Sequence, residues 1–419
     1  MRIVHPGIYK KGIEREKRRK QRVFRKRLPY FVAITILLTS YLGVCFVNNP
    51  VYSVVKAEVS TPAQIVNYPW PEVGSASVGY SGESGALASK AGSLPVPSAS
   101  TIKLLTALVV LQKKPLNIGE QGEQIRFDET DVALYGQILA GSGSVAPVDV
   151  GTTVSFRQAL DAMLVASSNN IAYKLAVWSY GTIDAFNQSA ATYGLKLKLV
   201  STTVTDPTGL SAQTVTSADD MVIIAMAAMK NPLIAEIVGQ KSVAWPVQNT
   251  TLNTTNALLD SSSVVGSKTG NTFEAGYCYV LTKNVAVAGQ QMQVYVSVFG
   301  QPDRAAAFAA AAVIATKFEL DLAPISLRTA GAKVGQVDSS WGNSANIITK
   351  DEIAAVRWKG QQLISHMNTK SVGAGSAGSL VGRLHIGSYD GDVILGSNLP
   401  RPSLIQRLVH GVDYFAIKK

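Results

Sequence analysis

The longest apolar run in the chain, LPYFVAITILLTSYLGVCFV, occupies residues 28–47 and contains no charged side chain. Helical residues rise about 1.5 Å each, so a run of this length spans the hydrocarbon core of a bilayer. The pattern therefore predicts a transmembrane helix at residues 28–47. It is preceded by a basic tail at residues 1–27 and followed by a polar segment at residues 48–65, which we interpret as an extended linker.

Further along, apolar residues recur every three or four positions. This spacing is typical of helices that face a core, and it predicts helices within residues 100–111, 153–180 and 217–238. Ser217 followed by Asp220 predicts a capping box at the start of the third.

Two segments with strand patterns flank these helices. Residues 75–95 alternate small and apolar residues around SGES, which predicts a hairpin at a sheet edge. Residues 275–300 are rich in Val and Tyr and predict two antiparallel strands, followed by an Ala-rich helix at residues 303–320. We therefore expect one α+β domain at residues 66–321, in which an antiparallel sheet accompanies an α-rich region.

The pattern changes again near residue 322. Residues 322–400 consist of short strand patterns separated by glycines, which predicts a small all-β domain. Asp390-Gly391 has the composition of a tight hairpin turn.

An amphipathic tail is predicted at residues 401–419, with Ser403 as the N-cap of a helix. Its apolar face would consist of Leu404, Ile405, Leu408, Val409 and Val412. This face fits either packing against its own domain or lying on a membrane surface.

Charge is concentrated in the tail at the N-terminus. The 419-residue chain has a formal net charge of +11, and residues 1–28 contain twelve Lys/Arg and two Glu, so +10 of it lies there. The remainder is nearly neutral, which argues against a nucleic-acid partner. The positive flank predicts a cytoplasmic N-terminus and an exported remainder. VKAE at residues 55–58 leaves a cleaved signal peptide as the alternative.

The cysteines and histidines exclude several site types. Cys45 lies in the apolar run and Cys278 lies in the exported part, so we expect no disulfide. No histidine lies between residues 6 and 365. A Ser-His-Asp hydrolase or a His-ligated zinc enzyme therefore cannot be built from residues 66–321 alone, and we expect no metal or other cofactor.

A serine and a lysine at S-x-x-K spacing offer another nucleophile and base. Ser100 and Lys103 lie at positions i and i+3, which are adjacent on one helical face. Apolar neighbours favour the neutral amine of Lys103, which can accept the proton of the Ser100 hydroxyl. The spacing alone is a weak signal, because Ser53 and Lys56 in the linker match it too. A helix cap beside a lysine that extends to solvent is the alternative.

Two further motifs strengthen the hypothesis. Ser167-Ser168-Asn169 is an S-x-N motif, and Lys268-Thr269-Gly270 is the single K-T-G in the chain. The motifs S-x-x-K, S-x-N and K-T-G, in this order, are characteristic of β-lactamases and penicillin-binding proteins.

With these motifs the chain resembles a low-molecular-mass penicillin-binding protein of the serine D-alanyl-D-alanine carboxypeptidase family. The resemblance covers about residues 66–320 and includes TDPTGLSAQTVTSADDM and NTTNALLDSSSVVGSKTGNTFEAGYCYV. It implies a penicillin-binding/β-lactamase-like fold, with a small all-β domain of the kind often appended in this family. It also implies hydrolysis of peptidoglycan stem peptides that end in D-Ala-D-Ala, with β-lactam antibiotics as covalent inhibitors. The predicted transmembrane helix would attach this activity to the membrane.

The resemblance also implies roles for individual residues. Ser100 would be the acylated nucleophile, Lys103 its general base and Ser167 the proton relay to the leaving amine. Asn169 would hold a substrate amide or orient Lys103. The remaining substrate-binding residues would be Lys268, Thr269, Gly270 and Asn271. Among these, Lys268 and Thr269 would attract and bind the terminal carboxylate, while the N–H groups of Ser100 and Asn271 would form the oxyanion hole.

The chain departs from the family pattern near the second motif. Family members often have Ser-Gly-Asn followed by Asp, whereas this chain has Ser-Ser-Asn followed by Asn170. Asn271 stands where an aromatic residue or His is common. A class A β-lactamase would need a glutamate for deacylation, and Glu236 is the single Glu between residues 130 and 268. An endopeptidase acting on the same polymer, or a sensor without catalysis, remains an alternative.

Overall fold

The structure, a computed structural model, describes residues 6–57, 60–261 and 263–410. Contacts divide the chain into two units. The larger unit consists of Thr61–Ile325 and Ala354–Leu363. The smaller unit consists of Met1–Ser60, Ser326–Ile353 and Ile364–Lys419.

The helices and strands are numbered in chain order. The helices are α1 (Pro6–Val47), α2 (Lys103–Lys113), α3 (Glu129–Ala140), α4 (Phe156–Leu164), α5 (Asn169–Tyr180), α6 (Ile183–Leu197), α7 (Ala218–Lys230), α8 (Pro232–Val238), α9 (Arg304–Leu320) and α10 (Leu404–His410). Short 3₁₀ turns cover Ala99–Ile102, Val247–Asn249 and Ala257–Asp260. The strands of the larger unit are β3 (Ser75–Tyr80), β4 (Ala88–Lys90), β5 (Val96–Pro97), β6 (Gln124–Arg126), β7 (Thr153–Ser155), β8 (Val215–Thr216), β9 (Ser242–Trp245), β10 (Thr250–Asn253), β11 (Val264–Thr272), β12 (Gly276–Val287) and β13 (Gln290–Gln301). The others are β1 (Tyr52–Lys56), β2 (Ser60–Thr61), β14 (Leu322–Arg328), β15 (Lys333–Ser339), β16 (Ser344–Thr349), β17 (Ile353–Trp358), β18 (Leu363–Thr369), β19 (Leu380–Ile386) and β20 (Tyr389–Leu395).

An antiparallel sheet organises the larger unit, with strand order β11-β12-β13-β3-β4. The predicted hairpins are confirmed: β3 pairs with β4, and β12 pairs with β13 across a turn at Ala288-Gly289, where both residues have positive φ. Such φ values are typical of the two-residue turns that match strand twist. Strand β11 lies at one edge of this sheet, where a further extended chain can pair with it.

Helices cover both faces of this sheet. The Ala-rich α9 packs its small side chains, such as Ala311 and Ala315, with Val296 and Val298 of β13. The other core cluster contains Met221 and Val222 of α7 together with α2, α4 and α5. The predicted α+β fold with an α-rich region is therefore confirmed.

Helix α2 lies inside the α-rich region. Every residue from Lys103 to Leu111 is buried, which agrees with an apolar sequence that has no exposed face. The predicted helix at residues 217–238 is interrupted, because Asn231 caps α8 and Pro232 begins it. The capping box at Ser217 is half formed. Its hydroxyl accepts the Asp220 N–H, whereas the Asp220 carboxylate accepts N–H groups of Val200 and Ser201.

A second antiparallel sheet forms the smaller unit, with order β1-β15-β16-β20-β19-β18-β2. Two predictions are wrong here. Residues 48–65 are not simply a linker, because β1 pairs with β15 along its whole length. The turn between β19 and β20 is Gly387-Ser388, and Asp390-Gly391 lies inside β20. Gly387 has a φ of +63°, so it can take the turn conformation without strain.

The units also differ from the boundary predicted at residue 322. Strand β17 pairs with β14, and Ala354–Leu363 belong to the larger unit. The Tyr80 hydroxyl of that unit donates a 2.9 Å hydrogen bond to the carbonyl of Val356.

The two terminal helices belong to the smaller unit. Within the described residues, one helical segment is both long enough and apolar enough to cross a membrane, namely Glu14–Val47 of α1. Ser403 caps α10 as predicted, since its hydroxyl accepts the Gln406 N–H at 3.2 Å. The Tyr41 hydroxyl of α1 donates to the Leu408 carbonyl of α10. On the predicted apolar face Leu404, Ile405 and Val409 are exposed, and Val412 lies outside the described residues.

Candidate active site

The serine and lysine of the first motif are in direct contact. Ser100 lies in the 3₁₀ turn Ala99–Ile102, and Lys103 is the first residue of α2. In a 3₁₀ turn, side chains three residues apart lie nearly one above the other. Lys103 Nζ is 2.6 Å from Ser100 Oγ, as the spacing predicted.

The second motif completes the surroundings of this amine. Asn169 begins α5, and its Oδ1 accepts a hydrogen bond from Lys103 Nζ at 2.6 Å. Ser167 precedes the helix with a φ of +61°, which is rare for a residue with a Cβ. This conformation directs its Oγ to a point 3.5 Å from the same amine. One nitrogen therefore contacts three polar side chains contributed by two motifs.

The third motif lies on β11, an edge strand of the sheet. Lys268, Thr269, Gly270 and Asn271 are consecutive residues of β11. A Cβ on Gly270 would lie 2.8 Å from the Ser100 nitrogen, so only glycine lets the strand approach this closely.

Burial changes the acid–base properties of both lysines. Lys103 is fully buried, and its pKa lies well below the ordinary value, first because of desolvation and then because of the charge of Lys268. The carboxylate of Asp206 opposes part of this shift. Lys268 is 1% exposed, and desolvation lowers its pKa from 10.5 to about 7. This shift favours the neutral amine of Lys103, the form that can accept a proton. The pKa of Lys268 lies near neutrality.

All eight predicted site residues lie around one cleft. Six line it directly: Ser100, Ser167, Asn169, Thr269, Gly270 and Asn271. The two lysines are buried beneath this lining, where water cannot reach them freely. The cleft encloses about 640 Å³, including the part that opens to solvent.

Sequence reasoning missed several residues of the site. Thr255 and Arg304 also line the cleft, although no local motif distinguishes them. The buried Asp206 accepts hydrogen bonds from Thr208 and Thr214 within the segment TDPTGLSAQTVTSADDM, where only the resemblance to the family indicated importance. Asn170, which departs from the family pattern, holds the Ala146 backbone through 2.8 and 3.1 Å hydrogen bonds.

The family model for D-alanyl-D-alanine carboxypeptidases, peptidase family S11, matches residues 80–303, which is more than half of the chain. The chain belongs to this family. One relative is a D-alanyl-D-alanine carboxypeptidase from Mycobacterium tuberculosis. It is 33% identical to this chain, and the alignment covers 49% of this chain and 67% of the relative. A D-alanyl-D-alanine endopeptidase from Pseudomonas aeruginosa is 31% identical over 46% of this chain. The alignment spans 61% of that protein, less than two thirds of its length.

A solved structure supports the fold of this S11 chain. Penicillin binding protein 5 from Haemophilus influenzae matches with a TM-score of 0.60 at 18% identity, over 80% of this chain and all of that one. The predicted penicillin-binding fold is therefore confirmed. The family of serine peptidases predicted from the three motifs is confirmed as well.

Proposed function

We propose that this chain is a membrane-anchored serine DD-carboxypeptidase that removes the terminal D-Ala from peptidoglycan stem pentapeptides through an acyl-enzyme. The observation that carries the proposal is the buried Lys103 amine, 2.6 Å from both Ser100 Oγ and Asn169 Oδ1. A neutral amine in hydrogen-bond reach of a hydroxyl is the arrangement that general-base activation requires.

In the proposed acylation step, each of these groups has a defined role. Ser100 Oγ attacks the carbonyl carbon of the penultimate D-Ala while its proton passes to Lys103 Nζ. The Asn169 carbonyl oxygen keeps the amine oriented, because it accepts one of its N–H groups. The N–H groups of Ser100 and Asn271 are the candidate donors to the oxyanion, and such donors supply much of the stabilisation in acyl transfer.

Bond cleavage and deacylation reuse the same groups. The proton on Lys103 passes through the Ser167 hydroxyl to the nitrogen of the leaving D-Ala, and the carbon–nitrogen bond breaks. The 3.5 Å distance from Lys103 Nζ to Ser167 Oγ is compatible with a relay that tightens when substrate is bound. Water then attacks the ester, loses its proton to Lys103, and the Ser100 oxygen leaves with a proton.

Three residues are suited to the free carboxylate of the substrate. The Thr269 hydroxyl and the exposed Arg304 guanidinium line the cleft. A guanidinium and a hydroxyl both donate hydrogen bonds to a carboxylate. Lys268 adds positive potential from beneath, and a bound anion would favour its protonated form. A β-lactam carries a similar carboxylate beside a reactive amide, which supports these drugs as covalent inhibitors.

Endopeptidase activity is the second candidate, because the Pseudomonas relative has that name. Its substrate would be a cross-link instead of a free stem peptide. A class A β-lactamase has less support. Glu236 forms a 2.6 Å ion pair with Arg157, and in the described residues it does not line the cleft. A sensor that only binds its ligand, without acylation, makes no use of the Lys103 amine beside the Ser100 hydroxyl.

Membrane attachment through α1 completes the proposal. The apolar part of α1 is long enough to span a bilayer, and twelve basic residues precede or begin it. Positive flanks stay in the cytoplasm, so the N-terminus would be cytoplasmic and the S11 domain extracytoplasmic.

The test combines labelling with product analysis. The full chain in detergent is incubated with fluorescent penicillin, and separately with pentapeptide muropeptides and with cross-linked muropeptides. We expect covalent labelling and release of free D-Ala from pentapeptides. Ser100→Ala and Lys103→Ala should each abolish both while leaving the folded state intact. Cleavage of cross-links without D-Ala release would favour the endopeptidase, and a chain that reacts with neither penicillin nor peptide would refute both.

A further inference from the structure

Thr255 contacts the hydroxyl that the proposed function assigns to the substrate carboxylate. Its Oγ1 lies 2.5 Å from Thr269 Oγ1, and both residues line the cleft. Thr255 comes from the segment after β10, 14 positions before Thr269 along the chain. The contact is therefore one that the K-T-G motif itself does not reveal.

The neighbouring residue holds Thr255 in this position. Asn256 is 3% exposed, and its Oδ1 accepts hydrogen bonds from the Tyr279 hydroxyl at 2.8 Å and the Leu258 N–H at 3.1 Å. Tyr279 of β12 is the cross-strand partner of Thr269. The segment that carries Thr255 is thus tied to the same pair of strands that carries Thr269, which fixes the distance between the two hydroxyls.

The number of protons on the two hydroxyls determines whether Thr255 donates or accepts the hydrogen bond between them. Each hydroxyl has a single proton to donate. When Thr269 donates its proton to a carboxylate, it can keep the contact with Thr255 only as an acceptor. Thr255 must then be the donor, and two hydrogen bonds in series, each pointing toward the anion, strengthen one another.

We propose that Thr255 is a positioning residue that donates to Thr269 and thereby directs the Thr269 proton at the terminal carboxylate of the substrate. The inference rests on the proposed function and makes it more specific. The pair favours peptides that end in a free carboxylate over peptides that end in an amide. An amide end carries no negative charge, so its carbonyl oxygen accepts a weaker hydrogen bond from Thr269 than a carboxylate does.

The experiment compares variants on matched ligands. The full chain in detergent is prepared as Thr255→Val, which keeps the shape, as Thr255→Ser, which keeps the hydroxyl, and as Thr251→Val, an exposed control outside the cleft. Each is assayed with a synthetic peptide ending in D-Ala-D-Ala and with the same peptide bearing a C-terminal amide. Acylation by benzylpenicillin and by its methyl ester is measured in parallel.

For Thr255→Val we expect kcat/KM on the free acid to fall about fivefold, mainly through KM, which matches the loss of one hydrogen bond. The benzylpenicillin rate should fall similarly. On the amide and the ester the loss should be clearly smaller, and Thr255→Ser and Thr251→Val should resemble wild type on every ligand.

Two results would overturn the inference alone: wild-type behaviour of Thr255→Val on all ligands, or an equal loss on ligands with and without a carboxylate, which would mean a structural role. A wild-type chain that reacts with neither peptide nor penicillin would overturn the proposed function as well, so the two failures are distinguishable.

Discussion

Lys268 is buried, and burial penalises its protonated form, so replacing it by Met should stabilise the folded state at neutral pH. Its pKa falls from 10.5 to about 7 on burial. Below pH 7 this lowering of the pKa costs about 5 kcal/mol, at about 1.36 kcal/mol per pKa unit, and at pH 7 it costs about 4 kcal/mol. Met removes this cost but also loses the 3.0 Å hydrogen bond to the Thr269 carbonyl, which offsets about 1 kcal/mol.

The sign of the pH dependence follows from proton binding. Between pH 7 and 10.5 the unfolded lysine holds a proton that the folded lysine has released, so wild-type stability rises with pH. We expect Lys268→Met to be more stable than wild type by about 3 kcal/mol at pH 7. The advantage should shrink as pH rises and reverse slightly above pH 10.5.

Urea unfolding of the full chain in detergent, repeated from pH 6 to 11, measures this difference. Lys241→Met is the matched control, because the Lys241 side chain is 64% exposed and pairs with the exposed Asp260. The control should show no such pH-dependent gain. A Lys268→Met difference that stays constant across this range would refute the assignment of a buried lysine with a depressed pKa.

Two further predictions test the geometry around the nucleophile. Gly270→Ala should slow penicillin acylation by about 100-fold, because the new Cβ would meet the Ser100 nitrogen at 2.8 Å and shift the strand or the nucleophile. Gly136→Ala, with nothing within 4 Å of its Cβ, is the control, and equal rates for the two variants would contradict the close approach. Asp206→Asn removes the charge that raises the Lys103 pKa, so the acid limb of the acylation rate should move to lower pH. An unmoved limb in a stopped-flow pH profile would mean that Asp206 does not act on Lys103.

Local patterns in the sequence were sufficient to predict many of the helices and strands of the S11 domain. Helices and strands with clear periodicity, such as α9 and the β12–β13 hairpin, follow from neighbouring residues alone. The distance between Ser100 and Lys103 was also predictable, because three-residue spacing on a helical turn dictates it.

Strand pairing over long separations was not predictable in this way. Strand β1 looked like a linker because its partner β15 lies about 280 residues away, and no local pattern reports that pairing. The β19–β20 turn was misplaced because Asp-Gly is a good turn sequence, whereas the register of the flanking strands selected Gly387-Ser388.

The amino-acid sequence by itself determined which chemical groups this protein has: the serines, lysines, asparagine and threonine of three motifs, and no histidine between residues 6 and 365. Only the tertiary structure decided what those groups can do. A lysine pKa depends on how much water the fold excludes and on charges such as Asp206, which lies 103 positions from Lys103 in the sequence. The Thr255–Thr269 contact likewise exists only because the fold brings a separate segment to the edge strand.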